Sequence, residues 1–238
     1  DLSKTKNSDK YEYIYPNFTI SKIIPTSVDF FGSLTYQATG FQKKYDTNVF
    51  ETSFINNFDF SSKPFFTKLG FINDVSLLVK NTNKEGKNSK NYNDKFIYDN
   101  YSSLILNSSY PLRKKTKYFD SQLKPRMSLR LSPSRSEILS SEDRRIDNVN
   151  IFSKNRLGLA DSLEGGQSLT LGGEYNLEKK NGSEIIKMSL GQIYRDINEK
   201  NLPTKSKMTT KSSDIVGGVK ISANDYLDID YNFSLDNN

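Results

Sequence analysis

The chain has 238 residues, a net charge of +6, and neither cysteine nor histidine. Within this chain, these absences exclude disulfides, thiolate metal sites and any catalytic triad built around histidine. Hydrophobic residues make up only 34 % of the chain, whereas aromatic residues reach 12 %. So few apolar residues would give a soluble domain a thin core, but a membrane barrel turns half of each strand toward lipid and the other half toward water.

Apolar and polar residues alternate with a period of two, and this alternation predicts about ten strands. It is clearest over residues 166–177, where Leu169, Leu171 and Tyr175 share one face and polar residues share the other. Most of the predicted strands reach the roughly 9–11 residues that a tilted strand needs to cross a bilayer. In chain order they cover residues 11–20, 28–38, 49–60, 65–79, 104–112, 123–132, 166–177, 185–194, 215–221 and 226–235.

The predicted connections alternate in length, except that the one at residues 40–45 is shorter than this rhythm requires. Tight periplasmic turns and long external loops are typical of up-and-down membrane barrels. The sequence therefore predicts an all-β fold, an antiparallel up-and-down transmembrane β-barrel of which about ten strands are present. The short connections fall at residues 61–64, 113–117, 180–182 and 223–225, and the long ones at residues 81–93, 133–165 and 196–212.

The chain opens and closes in polar sequence, without a signal peptide at its start or an apolar run long enough for a transmembrane helix. We therefore expect residues 1–238 to be a fragment of a single outer-membrane barrel domain. A soluble β-sandwich that serves as an adhesin or binding module is an alternative, and it predicts a product that is monodisperse without detergent. The loops mix lysine with asparagine, which indicates a solvated surface, so no nucleic-acid partner is expected.

Glycine pairs and acidic pairs give no indication of an active site. Gly172-Gly173 and Gly217-Gly218 lie inside predicted strands and form no phosphate-binding loop, so they predict close packing or sharp curvature of the sheet. Asp228 and Asp230 share one face of one strand, where they are expected to line a watery lumen and not to act as a glycosidase pair. No catalytic, cofactor or metal site is expected.

The connection over residues 147–164 differs from the other loops, because apolar residues interleave with Asp, Asn and Arg. Such a loop is predicted to fold back onto the barrel. Arg156 is placed to pair with Asp161 or Glu164 in a charge-assisted contact.

An ordered set of residues that starts in this loop resembles the C-terminal barrel of the LptD family, also called the organic solvent tolerance proteins. Further stretches in the same order are residues 110–112 with 123–125, 190–195 and 213–217. The resemblance covers residues 110–238, and residues 1–109 are compatible with it. Ile151 and Leu157 in the loop carry it, with Gly172 and Tyr175 after the loop. So do nine further residues: Asp147, Asn150, Phe152, Asn155, Arg156, Asp161, Glu164, Gly165 and Gly166.

The resemblance implies a barrel of about 26 strands, of which this chain would supply under half. It implies a plug formed by a lipoprotein of the LptE kind, and a periplasmic N-terminal domain that connects to the lipopolysaccharide-transport bridge. The implied role is non-enzymatic: a cell outer-membrane component, in contact with membrane lipid, that helps assemble lipopolysaccharide in the outer leaflet of a Gram-negative bacterium. A porin or a receptor-type transporter is the alternative, and porin conductance without a lipoprotein plug would distinguish it.

The nine residues from Asp147 to Gly166 named above are interpreted as a motif that packs the loop against the lumen. Within it, Asn155, Arg156, Asp161 and Glu164 are expected to pin the loop in place.

Overall fold

A computed structural model of the protein describes residues 12–25, 31–45, 47–90, 92–133, 138–224 and 227–236. Within these residues, twelve antiparallel strands form one sheet, with a short 3-10 helix at Thr204–Ser206. The strands are β1 Glu12–Ile24, β2 Gly32–Tyr45, β3 Phe50–Ser62, β4 Phe65–Phe66, β5 Ile72–Lys87, β6 Ile97–Ser109, β7 Leu112–Lys115, β8 Phe119–Ser132, β9 Gly166–Lys179, β10 Glu184–Arg195, β11 Ile215–Asn224 and β12 Leu227–Leu235.

The strands pair in the order β1-β2-β3-β5-β6-β8-β9-β10-β11-β12, while β4 pairs with β5 and β7 pairs with β8. Each long strand therefore lies beside the next long strand in the chain, and among the described residues the sheet does not close on itself. This order confirms the prediction of an all-β, up-and-down partial barrel with about ten long strands. In the part of the chain that the structure describes, no helix combines the length and the apolar character needed to cross a bilayer.

Several predicted boundaries are wrong. The connection predicted at residues 40–45 lies inside β2, and residues 81–87 of a predicted long loop continue β5. Residues 65–79 do not form one strand, because a turn at residues 67–71 separates β4 from β5. The polar side chains after residue 80 suggested a loop, but backbone groups pair across a sheet whether or not their side chains face lipid.

A glycine explains the error in β2. Gly40 is the cross-strand partner of Phe18 in β1, and a β-carbon on this glycine would lie 2.7 Å from the phenylalanine ring. The glycine therefore makes room for a ring and does not mark a turn. Part of the connection predicted at residues 113–117 belongs to β7, and residues 223–224 of the connection predicted at 223–225 belong to β11. Predicted strand or turn residues 11, 28–30 and 225–226 lie outside the described residues.

The chain divides into two compact units, Asp1–Phe60 with Leu77–Ser102 and Ser61–Ser76 with Ser103–Asn238. In the first unit, alternation along β3 buries Ser53 and Ile55, whereas Phe54 on the opposite face is 37 % exposed. The exposed face thus carries an apolar ring, as the period of two predicts.

Amide side chains interrupt that apolar face in the first unit. Tyr36 Oη donates to Asn56 Oδ1 at 2.7 Å, and its ring packs on Phe58 with ring centroids 4.9 Å apart. Asn56 Nδ2 donates to Asn81 Oδ1 at 3.1 Å, and Asn81 Nδ2 continues to Asn100 Oδ1 at 3.2 Å. Because these groups satisfy one another, polar side chains are accommodated beside the exposed rings.

In the second unit, β8 shows the alternation most clearly. Ser128 and Arg130 on one face are buried, Arg130 to 4 % exposure, while Leu123 and Met127 on the other face are 45 % and 44 % exposed. We call the buried face of β8–β11 the inner face and the opposite one the outer face. Polar residues that are covered and apolar residues that are exposed are the reverse of a soluble domain and the arrangement of a membrane barrel.

The inner face is covered by two long connections, residues 138–165 and residues 196–214. Together with inner-face residues Ile193 and Val216 they form the hydrophobic core of the second unit. The inner face under the loops therefore includes an apolar region, which the expectation of a polar lumen did not include. The loop residues in this core are Leu139, Ile146, Ile151, Leu157, Leu159, Leu202 and Met208, with Phe152 packed against it.

The assignment of faces predicts different responses to one added charge on β9. Leu171 is 41 % exposed on the outer face, whereas Asn176 lies on the inner face and donates to Glu178. We expect Leu171→Arg to destabilise the protein in lipid vesicles by about 2–4 kcal/mol, because the guanidinium would face hydrocarbon. Asn176→Arg should cost much less. Urea unfolding in vesicles measures both, and equal losses would contradict the assignment.

Candidate functional site

The loop that covers the inner face begins with a turn built by Asp147. Asp147 Oδ1 accepts the backbone N–H groups of Val149 and Asn150, each at 2.8 Å. The Asn150 side chain forms two further hydrogen bonds: its Oδ1 accepts the N–H of Asp147 at 3.0 Å, and its Nδ2 donates to the Arg145 carbonyl at 2.9 Å. These reciprocal bonds are the way that short polar side chains stabilise a turn. They fix the direction in which the next two residues leave the turn.

Those two residues, Ile151 and Phe152, enter a socket made by two glycines. Gly172 of β9 and Gly191 of β10 are cross-strand partners. A β-carbon on Gly191 would lie 2.8 Å from Ile151 Cδ1, and one on Gly172 would lie 3.0 Å from Phe152 Cζ. The glycines therefore let two apolar side chains lie directly on the backbone of the sheet. This confirms the prediction of close packing at Gly172.

Arg126 also packs on the Phe152 ring, with Cζ of the guanidinium 4.2 Å from the ring centroid. It also forms an ion pair with Glu174 of β9. A guanidinium over an aromatic face is attractive, so it adds a second contact that holds the ring.

Asn155 closes the next turn of the loop. Its Nδ2 donates to the carbonyl of Leu159 at 2.7 Å, and its Oδ1 accepts the Leu159 N–H at 3.1 Å. Gly158 between them has a φ of +63°, a conformation that favours glycine. This turn places Arg156 beneath the loop, where only 3 % of the residue is exposed.

Arg156 and Glu164 form the centre of a buried ionic cluster. Arg156 Nε donates to Glu164 Oε2 at 2.6 Å, and Nη2 of the same guanidinium bonds Oε1. Its remaining donors reach β9, with Nη1 bonded to Thr170 Oγ1 at 2.9 Å and Nη2 to Ser168 Oγ at 2.8 Å. This bidentate pair ties the middle of the loop to its end and both to the strand that follows.

Two more arginines converge on the same carboxylate from neighbouring strands. Arg195 of β10 bonds Glu164 Oε1, and its Nη2 donates to the Gly165 carbonyl at 2.6 Å. Arg130 of β8 places Nε 3.9 Å from Glu164 Oε2 and donates from Nη2 to the Ser153 carbonyl at 3.0 Å. Three buried cations therefore share one carboxylate, and its loss would remove the counter-ion common to all of them.

The cluster keeps Glu164 charged. Burial raises the pKa of its carboxyl, but the charges of Arg156 and Arg130, the hydrogen bonds from Arg156 and the charge of Arg195 outweigh burial and lower the pKa from 4.5 to about 2. Because the pKa is lower in the folded protein, this group's contribution to stability is present above about pH 4.5 and is lost as the pH falls through about 2. The cluster is therefore intact throughout the neutral range.

The second long connection, residues 196–214, packs against the first, residues 138–165. The N–H of Leu139 donates to the Asn201 carbonyl at 2.7 Å, and the N–H of Thr204 donates to the Ser140 carbonyl at 3.4 Å. Leu202 and other apolar side chains of residues 196–214 are buried in the same core. The two long loops thus form one packed body on the inner face.

The structure places all of the predicted loop residues in the second unit and brings most of them into these contacts. Arg156 pairs with Glu164, one of its two expected partners, and Asp161 lies half-buried nearby in the loop. Gly165 supplies the carbonyl for Arg195, and Gly166 begins β9 with a φ of +83°. Among the described residues, no group of acidic side chains is arranged to hold a metal ion.

Sequence reasoning missed four participants of the cluster. All four occupy inner-face positions near the long loops, and two of them are arginines. A buried arginine requires a counter-ion, so arginines on the polar side of a predicted strand next to the loop were a usable indication. The missed residues are Arg130, Ser168, Thr170 and Arg195.

The ionic cluster predicts unequal costs for its members. We call residues 138–165, as they are packed on the inner face, the seated loop. We expect Glu164→Gln to destabilise the seated loop by about 3–5 kcal/mol, since three cations lose their counter-ion. Arg156→Gln should cost less, because Glu164 keeps Arg195 and Arg130. Limited proteolysis of residues 138–165 in the protein in neutral detergent measures the effect. Glu142→Gln, an exposed change in the same loop, is the matched control, and equal protection of Glu164→Gln and Glu142→Gln would contradict the prediction.

A scan against protein families identifies what kind of protein carries this site. The family model described as "LptD: LPS transport system D" matches residues 1–238. No curated protein matches the chain. The family match confirms the resemblance seen over residues 110–238 and extends it to the first half of the chain. The chain therefore belongs to the LptD family of the lipopolysaccharide (LPS) transport system.

Proposed function

We propose that the chain forms part of the wall of an outer-membrane translocon that delivers lipopolysaccharide to the outer leaflet. The observation that carries this proposal is the seated loop: residues 138–165 are packed on the inner face of a sheet whose outer face is apolar. The family membership supplies the class of cargo.

The seated loop suits a translocon better than an open pore. A porin keeps a water-filled channel lined by polar groups. Here the apolar core that includes Ile151, Leu157 and Ile193 occupies the inner face, and the buried Glu164 cluster fastens it. A wall whose inner face is covered in this way retains the permeability barrier while an amphiphile passes into the membrane.

The proposed role is non-covalent and requires partners. We propose that residues 1–238 are part of a single barrel domain in the cell outer membrane, that a lipoprotein of the LptE kind plugs this barrel, and that lipopolysaccharide reaches it from the periplasmic transport bridge. The loop residues from Asp147 to Gly166 would serve the assembly as packing residues that keep the loop seated.

Depletion of the protein in its Gram-negative host tests the proposal. We expect newly made lipopolysaccharide to stop reaching the cell surface within a few generations and to accumulate in the periplasm, because its exit is removed. The measurement is pulse labelling of lipopolysaccharide followed by detection of the surface-accessible fraction. Cells that keep a wild-type copy are the control, and a small lipoprotein should co-purify with the protein from them.

Normal arrival of lipopolysaccharide at the surface, combined with loss of small-solute uptake, would overturn the proposal. That result would favour the porin or receptor-type alternative, which the purified protein would then support by conducting ions without a lipoprotein.

A further inference from the structure

A cavity of about 330 Å³ lies where the two long loops meet the ends of β11 and β12. Two of the residues that line it, Ile146 and Val216, are buried, with exposures of 8 % and 3 %. Three cationic side chains, Arg145, Lys205 and Lys207, stand around it. The inner-face ionic cluster around Glu164 contributes no residue to this cavity, so it is a separate feature of the fold.

The elements that carry the cations are well defined. Lys205 belongs to the 3-10 helix Thr204–Ser206, and Lys207 follows it in a left-handed conformation with a φ of +57°. Arg145 precedes the Asp147 turn, where its carbonyl accepts the Asn150 side chain at 2.9 Å. The three charges therefore come from backbone that both loops hold in place, and they converge on one cavity.

The present counter-ions of these cations are exposed and exchangeable. Lys205 Nζ lies 3.0 Å from an Asp143 carboxylate oxygen, and Arg145 Nε lies 3.8 Å from the other oxygen of the same carboxylate. Lys207 Nζ lies 3.6 Å from Asp236. The side chains in these pairs are more than half exposed, and pairs of that kind contribute little stability. An incoming anion can replace them at small cost.

The lining also contains a carboxylate, which restricts the ligand. Asp214 lines the cavity, and its Oδ2 accepts the hydroxyl of Ser234 at 2.9 Å. An anion would bind beside the three cations, while Asp214 favours a ligand that also offers hydroxyl donors. The volume corresponds to roughly ten water molecules, so it exceeds that of a bare phosphate.

We propose that this cavity binds a phosphate group that is carried on a hydroxyl-bearing unit, as in the headgroup of an anionic lipid. The lipid source rests on the proposed function, but the phosphate chemistry does not, since it follows from the cations and the volume of the cavity. Arg145, Lys205 and Lys207 contact the phosphate oxygens, and Asp214 accepts from the unit that bears the phosphate.

The test is a binding measurement on the intact protein in neutral detergent, with short-chain phosphatidylglycerol, whose phosphate carries a glycerol with free hydroxyls, in mixed micelles as the probe. The combined variant R145Q/K205Q/K207Q should bind this lipid roughly tenfold or more weakly. The matched control K63Q/K115Q/K117Q removes three exposed positive charges beside the short turns at the opposite strand ends, and it should stay within about twofold of the wild-type protein. Circular dichroism and heat-modifiable mobility check that both variants are folded.

Inorganic phosphate as a competitor distinguishes the two sources of the ligand. Displacement of phosphatidylglycerol by phosphate shows that the cavity recognises the anion from either source, whereas binding of the lipid without competition assigns recognition to the whole headgroup. Unchanged affinity of the cavity variant, or an equal loss in both triple variants, overturns the proposal. Since the assay involves no transport, its failure leaves the delivery of lipopolysaccharide to be judged separately by depletion.

Discussion

Glu164 is the carboxylate on which the arrangement of the second unit depends. Three arginines from a loop and two strands converge on it, and each of them is buried. Charges enter a buried environment only when they are paired and hydrogen-bonded. The same bonds that pair the arginines with this carboxylate therefore fasten residues 138–165 to the inner face. Without this carboxylate, the loop would have to leave or the cations would have to reach water.

The rest of the loop follows from that anchor. The turns at Asp147 and Asn155 satisfy backbone groups locally, which lowers the cost of burying this part of the loop. The glycine pair Gly172 and Gly191 then lets apolar side chains reach the sheet. Together these contacts turn a polar inner face into a packed interior, while apolar residues of the outer face stay exposed.

The parts of the fold that follow local rules were predictable. The pleat of a strand sets a period of two, so the faces of β8 and β9 could be predicted from the sequence. The alternation of connection lengths could also be predicted from the sequence. Arg156 and Glu164 are eight residues apart in one loop and were within reach of the same reasoning. Arg195 meets Glu164 across 31 residues, and no local pattern encodes that meeting. The polar continuation of β5 was missed because its pairing is made by backbone groups.

The loop over residues 138–165 is packed on the inner face and does not extend into solvent. Two near-isosteric substitutions in this loop, Ser162→Cys and Ser141→Cys, test this packing, since this chain has no cysteine of its own. Ser162 is completely buried and Ser141 is exposed. With the protein in neutral detergent, the rate of maleimide labelling should be high at position 141 and negligible at position 162 until the protein is unfolded. Equal labelling rates in the folded protein would contradict the packing of this loop on the inner face.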